Sequence, residues 1–211
     1  MQYRSIIWDW NGTLLDDVDV CLELANEILD EHGLPMLDVE RYREIFDFPV
    51  IRYWERAGLD LAKVDFEALS KRFCSRFDSL VHEIPLFDGA RRVLEDLEEA
   101  GARQFILSNT EQNALLRMLE SKQVSHLFAG VQGLDDTLAR GKAGAGADLL
   151  ANHGLDRDET VMIGDTLHDL EVAESLGIAC VLVSTGHHTH DRLAETGTPV
   201  IASLEEIHQI F

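Results

Sequence analysis

Residues 6–17 read IIWDWNGTLLDD. Three apolar residues, Ile6, Ile7 and Trp8, run directly into Asp9, and an Asn11-Gly12-Thr13 turn and the acids Asp16 and Asp17 follow. A short, continuously apolar run closed by turn residues is the pattern of a strand covered on both faces. In open α/β sheets the chemistry gathers beyond the carboxyl ends of such strands. Asp9 is therefore a candidate catalytic carboxylate. Asn11 sets a puzzle, because it puts an amide where a second, proton-handling carboxylate would be useful.

Working outward, β-type runs recur at YRSIIW (3–8), RQFILS (103–108), TVMIGD (160–165) and IACVLVS (178–184), with a weaker one near FAGVQG (128–133). Helical patterns separate the later runs. DGARRVLEDLEEAG places Ala90, Val93, Leu94 and Leu97 at helical spacing before Gly101, and TEQNALLRMLESK has Thr110 as a candidate N-cap. KAGAGADLLANHGL and HDLEVAESLG continue the alternation. Strand–helix alternation of this kind predicts an α/β fold, with a parallel sheet between two helical layers. Residues 15–85 break the rhythm. DDVDVCLELANEILDEHGL, VIRYWERAGL and DFEALSKRFCSRFDSLVHEI all have helical spacing, and Pro85 and Gly89 mark the return. The predicted organisation is a Rossmann-like core from 1–14 and 86–211, with an inserted all-helical cap at 15–85.

The chain has 211 residues, 45% hydrophobic and 27% charged, with a formal net charge of −21. That balance is globular, and its sign argues against nucleic acid or an anionic membrane as partner. Clustered acids do fit a bound cation. Cys21, Cys74 and Cys180 form no C-x-x-C pair and read as buried thiols of a reducing compartment, the cytoplasm. No apolar run has the length of a signal segment or a bilayer span. Nothing in the sequence sets an oligomeric state.

In a doubly wound sheet the strand ends meet at one rim. Asp9, Ser108 with Asn109, and Asp165 with Asp169 four residues later would converge there, and Lys142 opens a helix between them. Carboxylates so gathered repel one another, and Mg²⁺ among hard oxygen ligands relieves that. A lysine and a hydroxyl suit phosphoryl oxygens. Two glycine-rich alternatives fail. LDDTLARGKAG has Asp136 and Ala143 where a P-loop needs Gly and Ser/Thr, and GAGADL lacks the third glycine of a dinucleotide fingerprint.

DWNGTLLD, LSNT, Lys142 and GDTLHD, in this order around a helical insert, resemble the haloacid dehalogenase superfamily, particularly its phosphoglycolate-phosphatase-like members with a small helical cap. The resemblance spans nearly the whole chain. It implies Mg²⁺-dependent hydrolysis of a small phosphorylated metabolite, a phosphoglycolate-like ester or a sugar phosphate. Asp9 would be the nucleophile that forms an aspartyl-phosphate. Ser108, Asn109 and Lys142 would bind the transferring group. Asp165, the backbone carbonyl of Asn11 and either Asp169 or its support would join Asp9 around the metal. Around Lys142 the chain departs from the pattern, since Ala143 replaces a frequent proline and Arg140 is a nearby rival cation.

The family usually has aspartate at position 11, where it protonates the leaving oxygen and then deprotonates water. Asn11 does neither. Three readings follow: a phosphatase with another proton carrier (His168, His187, His188 or His190) or with easily departing leaving groups; a phosphonatase- or dehalogenase-like hydrolase; and a phosphate-binding or regulatory protein with little turnover. Deamidation at Asn11-Gly12 would restore an aspartate. The expected setting for STGHHTHD (184–191) is a solvated loop, and for Asp16, Asp17 and Asp19 a solvated linker and helix start. Phe46, Phe48, Tyr53 and Trp54 are expected to pack the cap helices.

Overall fold

The structure is a computed structural model that describes residues 3–134 and 141–210. Its elements are β1 (Ser5–Trp8), α1 (Val18–Glu31), α2 (Val39–Ile45), α3 (Val50–Arg56), α4 (Phe66–Leu80), α5 (Ala90–Glu99), β2 (Arg103–Glu111), α6 (Gln112–Ser121), β3 (Gly130–Leu134), α7 (Gly141–His153), β4 (Thr160–Gly164), α8 (Leu167–Leu176), β5 (Ala179–Val183), α9 (His190–Ala194) and β6 (Val200–Ile201). Asp136 and Arg140 lie outside the described residues.

The strands pair in the order β3-β2-β1-β4-β5-β6, every pair parallel. Strand side chains alternate between faces. Ile6, Trp8, Ile106 and Ile163 face Val93, Leu94, Leu115 and Leu119 of α5 and α6. Ile7, Phe105, Leu107 and Met162 face Leu149 and Leu150 of α7 and Val172, Ala173 and Leu176 of α8. This three-layer, Rossmann-like α/β architecture explains why the β runs are apolar throughout. Helix α7 lies close in because its first turns are rich in glycine and alanine. A Cβ on Gly146 would stand 2.7 Å from Leu176 Cδ1 and 3.0 Å from Leu107 Cδ2, so glycine there lets Lys142 reach the rim.

Between β1 and α5 the chain forms α1 to α4, with no strand among the described residues of that stretch. Helix α1 buries Val18, Cys21, Leu24, Ala25, Ile28 and Leu29; the spacing predicts Val18, Ala25, Ile28 and Leu29 on that face, while Leu22, expected with them, is only half-buried. Helix α2 is not evident from periodicity, since seven residues carry only Tyr42 and Ile45 inward. The Asp38 side chain caps it by accepting from Arg41 N at 2.7 Å.

Three expectations are corrected. Thr110 does not cap α6, because β2 runs on through Glu111, whose carboxylate accepts from Asn113 N and Ala114 N. Cys74, expected inside, is exposed on α4, whereas Cys21 is buried. Asp17 and the histidine loop are not solvated: Asp17 is 1% exposed, His187 4% and His188 0%, while His190 is exposed.

Candidate active site

Because all the strands are parallel, their carboxyl ends share one rim. Asp9 follows β1, Ser108 lies near the end of β2, Asp165 follows β4, and the loop after β5 carries His187. Asp9, Asp165 and Asp169 are buried, and each offers an oxygen within 4.8 Å of the others'. Lys142, from the first turn of α7, donates through Nζ to Asp9 Oδ1 at 2.5 Å and to Asp169 Oδ1 at 2.6 Å. The other Asp169 oxygen, Oδ2, accepts from Thr166 N at 3.0 Å and Thr166 Oγ1 at 2.7 Å, so this carboxylate fixes both the start of α8 and the lysine. Asp165 is held on both oxygens: Thr13 Oγ1 donates to Oδ1 at 2.9 Å and His187 N to Oδ2 at 2.6 Å.

The loop after Asp9 is folded tightly. Leu14 N and Leu15 N both donate to Trp10 O, and Gly12 N donates to Leu15 O. Gly12 has φ +72°, and a Cβ there would collide with Asp165 Oδ2 and with the His187 ring, so only glycine serves. Asn11 is half-buried and its amide is held at both ends. Its Nδ2 donates to Asp17 Oδ2 at 2.7 Å, and its Oδ1 accepts from Thr110 Oγ1 at 2.8 Å. Asp17 Oδ1 accepts from Gly12 N at 2.7 Å and stands 3.4 Å from His187 Nε2. Ser108 Oγ accepts from Thr110 N at 3.1 Å and donates to Thr110 Oγ1 at 3.2 Å. Asn109 is half-buried beside it. A hydrogen-bonded line thus runs from Ser108 through Thr110 and Asn11 to Asp17 and His187.

Electrostatics follow from burial and crowding. Burial drives the Asp9 carboxyl up to about 8 against the pull of Lys142, with Asp169 and Asp165 adding to the rise. Asp165 is likewise raised by burial, to about 6, although His187 pulls it down. Burial would also raise Asp169, but Lys142 and the Thr166 donors hold it below the ordinary carboxylate range. Lys142 stays cationic despite burial because Asp169 and Asp9 flank it. Three buried carboxylates against one lysine leave negative charge uncompensated. The donor set is oxygen only, which suits a hard divalent cation.

His187 and His188 are not free at the rim. Burial would lower His187, but Asp17 raises it to about 9, and its Nδ1 pairs with the Tyr42 hydroxyl at 2.9 Å. His188 accepts from Leu167 N through Nδ1 at 3.1 Å, and its Nε2 faces Phe46 O at 3.0 Å. Burial, then Arg192, push it down to about 3. Both ring nitrogens of each are committed. The His168 ring lies tilted against Phe48, with centroids 4.9 Å apart. Of the aromatics of the helical segment between β1 and α5, Tyr53 and Trp54 are buried as packing residues, whereas Phe46 stacks on His187 at 4.7 Å.

The strand-end residues are where the sequence pattern puts them, but Asp17 and Tyr42 join the site without having been expected there. Asp17 carries a faint signal, an acid directly before the first apolar residue of α1. Tyr42 carries none, because α2 is too short to show a period.

The fold and rim define a class, and comparison with known proteins names it. Residues 6–183 match the family model described as haloacid dehalogenase-like hydrolase, and the chain belongs to that family. It is 30% identical over 199 residues to a phosphoglycolate phosphatase of Xanthomonas campestris pv. campestris (strain 8004), covering 89% of this chain and 86% of that one. It is 27% identical to an N-acetylmuramic acid 6-phosphate phosphatase of Pseudomonas aeruginosa, covering 95% and 91%. Among solved structures, a haloacid dehalogenase-like hydrolase from Streptococcus pneumoniae superposes with a TM-score of 0.85 at 21% identity over 100% of this chain and 99% of that one. The chain is a hydrolase of the phosphatase type. Among the described residues no helix is long and apolar enough to cross a membrane.

Proposed function

We propose that this chain hydrolyses a small phosphomonoester of the cytoplasm through an aspartyl-phosphate on Asp9. One observation carries the reading: Lys142 Nζ sits between Asp9 and Asp169 with Asp165 in reach of both. Asp9 Oδ1 is tied to the lysine. Oδ2 accepts no hydrogen bond among the described residues and is the oxygen that attacks phosphorus. As that bond forms, the bond from phosphorus to the ester oxygen breaks and its electron pair leaves with the oxygen. Water then attacks phosphorus, the Asp9–phosphorus bond breaks, and the water's proton passes to solvent. Lys142 and the Ser108–Asn109 segment face the phosphoryl oxygens. Asp9, Asp165 and the Asn11 carbonyl would hold Mg²⁺, with Asp169 fixing Lys142 behind them. The ion would supply charge neutralisation at the transferring group.

Helices α1 to α4, the inserted segment 15–85, cover the site and select the substrate. The relatives are named for phosphoglycolate and N-acetylmuramic acid 6-phosphate, which points to a small phosphorylated metabolite, and the acidic chain disfavours nucleic acid and anionic membrane as partners. The test is phosphate release from a panel of small esters, with Mg²⁺ and with chelator, by the native chain and Asp9→Asn. Release that needs Mg²⁺ and falls to background in the variant is expected. Release unchanged by the substitution would refute the nucleophile. Ester binding without release would make the chain a binder.

A further inference from the structure

Asn11 and Asp17 form a matched pair whose chemistry can be read from their partners. The Asp17 carboxylate is buried and uses its two oxygens for two different donors of the same loop: Oδ1 takes Gly12 N and Oδ2 takes Asn11 Nδ2, both at 2.7 Å. The Cys21 thiol also points at Oδ2, at 3.5 Å. A carboxylate has acceptors and no donor, so the residue facing Oδ2 must bring an N–H or O–H. At the same time Thr110 Oγ1 donates to the other end of residue 11, which must therefore present an acceptor. A side chain of this length that donates at one tip and accepts at the other is an amide or a neutral carboxylic acid, and only the amide does so without holding a proton between two carboxyl groups. An ionised aspartate in its place would set two carboxylates 2.7 Å apart in a buried setting.

We propose that Asp17 is a positioning residue of this active site, one that makes asparagine the residue position 11 requires and so confines the enzyme to phosphoryl groups on leaving groups that depart without protonation. This rests on the phosphatase reading above. One Nδ2 hydrogen is spent on Asp17, and the second remains to hydrogen-bond the departing oxygen. An amide stabilises that oxygen but hands over no proton, so the oxygen leaves as an anion and takes its proton from solvent. The preferred substrate class is esters and anhydrides whose leaving group is a weak base, such as aryl, enol or acyl phosphates, which sets this chain apart from relatives named for alkyl phosphates.

The pair also predicts which exchange is tolerated. Asp17→Asn leaves one acceptor oxygen for two donors. Asn11→Asp leaves two facing carboxylates. In N11D/D17N the hydrogen bonds that join positions 11 and 17 to each other, to Gly12 and to Thr110 are remade with the roles exchanged, whereas the Cys21 thiol loses its acceptor and His187 its charge partner. The amide now at position 17 accepts from Gly12 N and donates to the carboxylate now at position 11, which still accepts from Thr110. The experiment is the full cycle N11D, D17N and N11D/D17N, read by urea unfolding and by kcat/KM against a series of aryl and alkyl phosphates of graded leaving-group pKa. Each single exchange is expected to lower the unfolding midpoint, and the double to lose less than the two single losses summed, by the share that belongs to the contact between positions 11 and 17. The native enzyme should slow steeply as the leaving group becomes more basic. The double exchange should flatten that dependence, with a gain on alkyl esters of up to roughly 10²–10⁴ because position 11 now carries a general acid.

A merely structural pair would show that non-additivity and leave the leaving-group dependence as steep as before, which overturns the positioning claim. Single-variant losses that simply add, or an N11D that alone gains activity without losing stability, also overturn it. Should an aspartate-bearing variant not fold, N11A, D17N and N11A/D17N read the same contact, and D17N must then cost less once Asn11 is gone. Non-additive losses of stability with no phosphate released by any variant would refute the phosphatase reading, and the leaving-group claim with it, while the matched pair stood.

Discussion

Asp9 must be an anion to attack phosphorus, yet it is buried beside two other carboxylates. The metal-free protein should report that conflict through its stability. Asp9 is raised to about 8 and Asp165 to about 6, so in the folded chain both keep protons that the unfolded chain has already released. Their contribution is complete below the ordinary carboxylate range and is lost as pH rises through those values. His187 acts in the same direction: raised to about 9, it supports the fold below its ordinary 6.5 and ceases to as pH rises through about 9. Asp17 has the opposite sign. Burial alone would raise it, but His187, Asn11 and Gly12 N hold it low, so its contribution is lost only on acidification. Urea unfolding in chelator should therefore show stability falling between about pH 5 and 9. Mg²⁺ should remove the part due to Asp9 and Asp165 and leave the part due to His187. A flat metal-free profile would contradict this. Deamidation at Asn11 finds no support, because the Gly12 N that would attack the amide carbon already donates to Leu15 O and Asp17 Oδ1.

Helix α2 and the loop after it join the helical segment to the rim. Arg43 Nη2 donates to Thr185 O at 2.8 Å, and Arg192 Nη1, on α9, donates to Phe46 O at 2.5 Å. Arg192 Nη2 also pairs with Asp47 at 3.4 Å, and Tyr42 reaches His187. Arg192→Ala should speed hydrogen exchange at residues 43–48 and raise KM, leave exchange in β1 and β4 unchanged, and cost no more than about 3 kcal/mol in unfolding. Uniformly faster exchange would mean that Arg192 supports the whole fold rather than this junction. The elements of this junction were the least legible in the sequence. Helix α2 makes only two turns and buries two side chains, too few for a periodic signal, and β6 has two residues. The longer helices were legible because more turns repeat the period, and α3, as short as α2, was read from the helical spacing of VIRYWERAGL.

Across the molecule, what the sequence disclosed was whatever depends on chain order alone. Apolar runs closed by Asp9, Ser108 and Asp165, alternating with helices, force a parallel sheet and hence a shared rim. What it hid depends on how loops return. Asp17 looks solvated beside Asp16 and Asp19 until α1 folds it back beneath Gly12, and His187 looks like part of a polar loop until Tyr42 and Phe46 cover it. Passage of a phosphoryl group through Asp9 is the step on which the proposed chemistry rests. Rapid acid quench during turnover of a fast substrate, followed by peptide mass mapping, tests that directly. The predicted result is one added phosphoryl group on the peptide bearing Asp9, appearing before phosphate is released and absent from Asp9→Asn. Steady turnover with that peptide unmodified at every quench time, and with Asp9→Asn still active, would contradict it.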